Sequence, residues 1–381
     1  MRIAISPTTF KGTVGVIDAC IAIIKGIRQR FPNADVIQLP VSDGGDGFLE
    51  SLLFNCGGKF VNAVVTGPRG RHRQTICGIL DDGRGVVEMA KASGFAMLEK
   101  EERNPLLTTS YGTGELIRGL IARGVQEVVI GVGGSATIDA GMGCMQALGV
   151  RFLDQSGKDV EYVGREIGKV TAIEAGDVSE EVRSCRLIIA ADVNNVLLGD
   201  EGAVFTYGKQ KGLKDSDAPF MEDAVAHLAE VIKNGFGTDI TTIPGGGAAG
   251  GIGAGLFGVL RAEIRDGAEQ FFEMSDFRKR IKGAEIIVTG EGRFDSLTGY
   301  GKVVQRILSI GRENNMIVVV LAGEITEGAE KLFSDGRSFG IAITPSGMSL
   351  SEAKARVHEL LQRGSLEAMM KIAKGTGEGA S

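Results

Sequence analysis

The chain has 381 residues, 43% of them hydrophobic and 24% charged, with 58 glycines and a formal net charge of −6. That length exceeds what one hydrophobic core usually supports and predicts two domains. The 42 Lys and Arg against 48 Asp and Glu exclude a sequence-independent nucleic-acid binder, which needs a basic face.

Five cysteines without a C-x-x-C pair predict reduced thiols. His72, His227 and His358 are far apart, which argues against zinc–histidine sites and Ser-His-Asp triads. No apolar run reaches the roughly 18 residues of a membrane span, and Met1-Arg2 leads straight into a strand-like segment, so a cytoplasmic protein with neither membrane segment nor signal peptide is expected.

Ile3-Ala4-Ile5 reads as a short buried strand. Apolar residues at helical spacing (Ile17, Ile21, Ile24, Ile27) predict a helix from about Val14 to Phe31, and Val36–Leu39 reads as a second strand ending at Asp43-Gly44-Gly45-Asp46-Gly47. From Lys59 to Met89 short β segments (Phe60–Val65, Gln74–Leu80, Val86–Met89) alternate with Gly-Pro and Asp-Asp-Gly turns, the pattern of antiparallel hairpins. A helix from Tyr111 to about Arg123 precedes strand Glu127–Ile130, a glycine-rich turn and a helix near Met142–Leu148. Strand Leu187–Ala191 ends at Asp192, Pro219–Lys233 is an amphipathic helix, and the Gly/Ala tract Pro244–Gly255 leads into another helix. The last stretch alternates strand Glu285–Thr289, helix Val303–Glu313, strand Ile317–Leu321, helix Glu327–Leu332, strand Phe339–Ile343 and helix Ser351–Gln362, with a frayed tail from Lys374. Parallel-type alternation at both ends predicts a doubly wound domain built from residues 1–45 and 282–381, with a mixed α/β domain, 46–281, inserted in it.

Two glycine tracts are candidate anion cradles. Gly131-Val132-Gly133-Gly134-Ser135-Ala136-Thr137 follows a strand and precedes a helix, where backbone amides and the helix start attract phosphate. Gly245-x-Gly247-x-x-Gly250 also fits a dinucleotide pattern, and both tracts equally suit tight packing. The sequence contains no G-x-x-x-x-G-K-[ST]. Carboxylates fall at strand ends: Asp43 and Asp46, Asp192, and Glu291 with Asp295 in Thr289-Gly290-Glu291-Gly292-Arg293-Phe294-Asp295. One such acid is commonly a cap; three clusters so placed suit a Mg²⁺-nucleotide site, since Mg²⁺ needs only one or two carboxylates. Lys11, after the first strand, and Lys211, in a glycine-flanked loop, can reach phosphates as point charges, and Ser110 lies in the hydroxyl-rich stretch Thr108–Thr113.

With these segments the chain resembles the bacterial type I glycerate kinase family, in order and nearly end to end. The likeness rests on Phe10-Lys11-Gly12, Asp43-Gly44-Gly45-Asp46-Gly47, Thr66-Gly67-Pro68, Val87-Glu88-Met89-Ala90, Asn104-Pro105-Leu106 and Gly133 to Thr137. It continues in Ala191-Asp192-Val193, Gln210-Lys211-Gly212, Ala248-Ala249-Gly250-Gly251, Thr289 to Arg293 and Gly301-Lys302-Val303. The resemblance implies ATP- and Mg²⁺-dependent phosphorylation of D-glycerate to 2-phosphoglycerate, and a flavodoxin-like domain with an inserted second domain. The chain departs from the family pattern at Thr8 (usually Asp), Ile138 (usually Asn), Ala140, Asp46, Phe48, Val196 and Lys209.

The site expected from all this lies in a cleft between the domains. Asp192 is the base, Lys11, Asp43 and Arg293 complete the catalytic set, and Arg293 holds the substrate carboxylate. Gly133, Gly134, Ser135, Thr137, Lys211, Gly247 and Gly250 bind nucleotide phosphates; Asp46, Glu291, Asp295 and Ser110 bind substrate or metal. Glycerate and ATP are the expected partners of a monomer or homodimer, with no nucleic acid and no membrane. Three alternatives remain: a kinase for a related hydroxy acid, a ligand-binding paralogue with weakened catalysis, and an NAD(P)-dependent oxidoreductase using Gly131-x-Gly133-x-x-Ala136 with Asp154.

Overall fold

The structure is a computed structural model and describes residues 1–10, 12–295 and 303–375. In chain order it contains β1 (Arg2–Pro7), α1 (Val16–Arg30), β2 (Asp35–Gln38), α2 (Phe48–Cys56), β3 (Lys59–Thr66), β4 (His72–Ile79) and β5 (Gly85–Glu88). Then come α3 (Tyr111–Ile121), β6 (Glu127–Gly131), α4 (Met142–Ala147), β7 (Arg151–Leu153), β8 (Ala172–Glu174), β9 (Arg186–Ala191), α5 (Ala218–Phe236) and α6 (Ile252–Leu260). The chain continues with β10 (Glu263–Asp266), β11 (Ile286–Phe294), α7 (Val303–Glu313), β12 (Ile317–Ile325), β13 (Ser338–Ala342) and α8 (Val357–Gly375), joined by short helical turns.

The chain divides into two compact units: Met1–Ser42 with Glu50–Asn55 and Phe271–Ser381, and Asp43–Leu49 with Cys56–Gln270. In the first, five strands lie in the order β13-β12-β11-β1-β2, every neighbouring pair parallel. Read from the β2 edge this is the 2-1-3-4-5 order of flavodoxin-like sheets, and its strands are the five expected near residues 3, 36, 285, 317 and 339. Ile3 and Ile5 of β1, Ile23 and Ile27 of α1, and Leu360 and Leu361 of α8 share one core. Gly26 lets α1 and α8 meet closely, because a Cβ there would strike the Gln362 carbonyl and the Ser365 hydroxyl.

The second unit has a mixed sheet in the order β10-β9-β6-β5-β4-β3. The four strands from β10 to β5 are parallel, and β4 and β3 continue as antiparallel neighbours. The expected hairpins at residues 60–89 are therefore only part of the arrangement, since β5 also pairs in parallel with β6. A separate antiparallel pair joins β7 and β8.

Several expectations need correction. The strand placed at Glu285–Thr289 continues to Phe294, and its partner β12 continues to Ile325, in register as far as Phe294 opposite Ile325. The helix expected at Glu327–Leu332 is a 3₁₀ turn, Ala329–Phe333. The last helix is two, Leu350–Ala355 with a Ser349 capping box and then α8. Lys374 lies within α8, while 376–381 fall outside the described residues. Helix α2 and edge strand β10 were not expected. No helix among the described residues is long and apolar enough to cross a membrane.

Candidate functional site

In the second unit β5, β6, β9 and β10 run the same way and end at Glu88, Gly131, Ala191 and Asp266, so their following loops gather at one edge of the sheet. This is where parallel α/β sheets bind ligands. The segment Asp43–Phe48 belongs to this unit and runs along that edge. The Gly133 N–H donates to the Gly44 carbonyl at 3.0 Å. A side chain on Gly44 would strike the Ala190 carbonyl, and one on Gly267 the Asp43 carbonyl. The Leu49 N–H donates to Glu88 Oε2 at 3.2 Å, and the Gly45 N–H to Asp43 Oδ1 at 3.3 Å. Asp46 lies beside Gly134, whose Cβ, if present, would be 3.3 Å from Asp46 Oδ1. Glycines with positive φ at 44, 47 and 134 make this close tracking possible.

Behind the Gly133–Thr137 turn sits Lys211, only 3% exposed. Its Nζ donates to Ser135 Oγ and to the Thr137 carbonyl, both at 2.7 Å. Burial pushes its ammonium down to about 7, against the pull of the Asp139 charge. Asp139 is itself fully buried; its Oδ2 accepts from the Ser110 N–H at 2.9 Å and the Ser110 hydroxyl at 2.7 Å, and its Oδ1 from the Gly141 N–H at 3.1 Å. Desolvation raises its carboxyl above the usual range, and those bonds oppose the rise. Ser110 Oγ also accepts from the Cys144 N–H at 2.9 Å, so Ser110 joins Asp139 to α4 inside the unit.

The two glycine tracts differ in how their amides are used. Among the described residues no carbonyl takes the amides of Gly134 and Ser135, while the neighbouring Gly133 and Ala136 amides donate to Gly44 and Ser93. In the second tract the amides of Gly246, Gly247, Ala248 and Gly251 donate to Ile243, Asn195, Gly245 and Ala248. Gly247 and Gly250 let this tract lie against the carbonyls of Val196 and Thr137, and the Gly250 carbonyl accepts from the Ala140 N–H at 3.0 Å. Ile138, where the family pattern has asparagine, is fully buried in the second unit's core. The hydroxyl of Thr137 is buried without a hydrogen-bond partner among the described residues.

Asp192 follows β9 directly and is half-buried. Beside it, burial and the Asp192 charge push the Tyr207 phenol up to about 12. The Tyr207 hydroxyl donates to Asn195 Oδ1 at 2.6 Å, and Asn195 Nδ2 donates to the Glu201 carbonyl at 2.7 Å.

The remaining candidates sit in the first unit. Lys11 lies outside the described residues. Thr8, at the position of the family aspartate, donates through both its N–H (2.9 Å) and its hydroxyl (3.1 Å) to the Gly290 carbonyl, which ties the first loop to β11. Glu291 and Arg293 are residues of β11 and Asp295 follows it, so the chain past Thr289, where the strand was expected to end, is extended backbone. Residues four apart on a strand are separated by about 13 Å, which removes the local geometry by which a turn would bring Glu291 and Asp295 onto one cation. Arg293 is exposed, with Nε 3.8 Å from Glu324 on the paired strand.

Glu88, Asp139 and the Tyr207–Asn195 pair were not among the sequence candidates. Glu88 carried the one usable signal, an acid ending an apolar strand.

The glycerate kinase family matches residues 3–373. Glycerate kinases of Halalkalibacterium halodurans and Bacillus subtilis are 36% and 35% identical, over 95% of both chains in the first case and 98% and 99% in the second. The glycerate 2-kinase of Escherichia coli K12 is 34% identical, over 98% of this chain and 99% of its own. A crystal structure assigned to glycerate kinase 2 of Salmonella typhimurium LT2 superposes with a TM-score of 0.85 at 33% identity, covering 99% of each chain. The chain belongs to the glycerate kinase family.

Proposed function

We propose that this protein transfers the γ-phosphoryl group of ATP to a hydroxyl of D-glycerate, with Mg²⁺, giving 2-phosphoglycerate in the cytoplasm. The observation that carries the reading is the Gly134–Ser135 turn. Two unspent amides stand at the carboxyl edge of a parallel sheet, with a buried ammonium behind them and the Asp46 carboxylate beside them. Amides and a cation suit phosphate oxygens, and phosphoryl transfer asks mainly for positioning and charge stabilisation. The second glycine tract supports this choice by spending most of its amides on its own packing.

In this reading Asp192 accepts the proton of the glycerate hydroxyl as that oxygen bonds to the γ-phosphorus. The bond to the β-phosphate oxygen breaks and ADP leaves. Lys11 and Lys211 balance the phosphate charge, Asp43 completes the catalytic set, and Arg293 takes the substrate carboxylate. Mg²⁺ is commonly held by one or two carboxylates with substrate phosphates; Asp46 is the proposed protein ligand, and Glu291 and Asp295, too far apart along the strand to share one ion, are proposed to serve substrate or metal singly. The bound ion would neutralise charge on the phosphates.

An ADP-release assay across small hydroxy acids tests the proposal, with ³¹P NMR locating the phosphate. D-Glycerate should support turnover that chelation of Mg²⁺ abolishes, with phosphate on the 2-hydroxyl. Release with a different hydroxy acid alone would reassign the acceptor, and no release with any would overturn the activity.

A further inference from the structure

The second unit's sheet has two outer edges, and they are built differently. On β10 the edge carries Glu263 and Arg265, which are paired with each other at 2.7 Å, and Glu263 also binds Arg186 on β9 at 2.7 Å. Charges of this kind keep a strand edge from pairing with another chain. On β3 the edge carries Phe60 and Val64, 52% and 65% exposed, with Asn62 between them on the same face.

The phase of the ladder shows which backbone groups β3 presents outward. The Gly67 N–H donates to the Arg71 carbonyl at 2.8 Å, so Gly67 faces β4. Bonding alternates along an antiparallel pair, and the register runs from Thr66 opposite His72 to Lys59 opposite Ile79. Val65, Ala63 and Val61 therefore bond to β4, while Thr66, Val64, Asn62 and Phe60 point their N–H and C=O groups away. The Thr66 N–H confirms this, because Glu115 Oε2 on α3 meets it at 2.6 Å and closes that end. Among the described residues nothing closes the edge at Phe60, Asn62 and Val64.

We propose that the protein forms a two-fold homodimer by antiparallel pairing of β3 with β3 of a second copy, making two six-stranded sheets continuous. With the axis at Asn62, each outward residue meets an outward residue: Phe60 lies opposite Val64 of the second copy, Asn62 opposite Asn62, and Val64 opposite Phe60. On the other face Val61 meets Ala63, and Lys59 meets Val65, one residue from the Thr66 amide that Glu115 closes. Each Lys59 ammonium thus comes alongside a Glu115 carboxylate of the other copy. The symmetry makes this charge match twice, as it does the apolar pairs. An unrelated extended peptide could use the same edge, but nothing in its sequence would have to repeat this match, and self-pairing supplies it in both directions.

Sedimentation velocity over a wide range of concentrations tests the dimer. The wild type should dimerise as concentration rises, and Val64→Lys should stay monomeric with an unchanged circular dichroism spectrum. Asn62→Cys reads the register: bonded antiparallel pairs have Cα atoms about 5.5 Å apart, within disulfide reach. Mild oxidation should therefore yield a covalent dimer that the wild type, with its native cysteines, does not form. A wild type that is monomeric throughout, a dimer that survives Val64→Lys, or an Asn62→Cys chain that fails to cross-link would each overturn the proposal.

Discussion

Lys211 has three protons to place and two oxygens to receive them, Ser135 Oγ and the Thr137 carbonyl, in a site closed to water. Its folded pKa of about 7 lies below the roughly 10.4 of an exposed lysine. Between those values the unfolded chain holds a proton that the folded chain lacks, so stability rises with pH across the window and the full penalty of burial is felt below it. The wild type should therefore gain on Lys211→Met by up to about 1.4 kcal/mol per pH unit between pH 7 and 10. Urea unfolding at pH 7 and pH 9 measures this, and a pH-independent difference would place the lysine in solvent. If a phosphate settles on Gly134 and Ser135, it favours the charged lysine. ATP binding near pH 8 should then take up a proton, seen calorimetrically as a binding heat that depends on the buffer. Asp192 has a different signature: Asp192→Asn should lower kcat by roughly a hundredfold or more while leaving the ATP Kd near wild type. Near-normal turnover in that variant would move the base elsewhere.

Elements that bury a regular apolar stripe were legible in the sequence, and those whose pattern is set by a distant neighbour were not. The five strands of the first sheet and helices α1, α3 and α5 declare themselves by apolar runs or helical spacing. The extension of β11 does not, because Gly290, Glu291, Gly292 and Arg293 look like a turn when read alone. Gly290 is there because a side chain would strike the Leu321 carbonyl of β12, so its reason lies 31 residues away. β10 escaped because an edge strand can be mostly charged. At the site, the carboxylates at strand ends were legible, but the approach of Lys211 to Ser135, 76 residues apart, was not. The two glycine tracts also looked alike in sequence and differ in what an added methyl would meet. At Gly250, with φ of 78°, it meets the Thr137 carbonyl, whereas at Gly134, with φ of 72°, the nearest atoms are at 3.2 and 3.3 Å. Gly250→Ala should cost about 2 to 5 kcal/mol from backbone strain and overpacking together. Gly134→Ala should cost about 1 to 2 kcal/mol from strain alone and weaken ATP binding through the crowded Asp46 carboxylate. Thermal unfolding and calorimetric titration separate these outcomes, and equal losses of stability would remove the distinction between the tracts.

Each unit carries a buried thiol that reports on its own core, Cys20 in the first and Cys144 in the second, both fully buried and both raised well above the ordinary thiol range by burial. Cys77 and Cys185 are pushed up to about 11, chiefly for the same reason. Cys56 is the half-buried one. A brief alkylation pulse on the native protein should modify Cys56 first, with the other four reacting only as denaturant opens their surroundings; mass spectrometry assigns the sites, and early labelling of Cys20 or Cys144 would contradict the packing described. The way the first unit is assembled also bears on its synthesis. Strand β1 leaves the ribosome long before one of the two strands that flank it, β11, which begins at Ile286. At about 5 to 20 residues per second, translation takes about 15 to 60 s to supply that neighbour. The whole of the second unit's continuous stretch, Cys56–Gln270, is translated in the interval. Ile3, Ile5, Ile23 and Ile27 meanwhile have only β2 and α1 to cover them, so the nascent N-terminal segment offers chaperones an apolar surface until the C-terminal strands arrive.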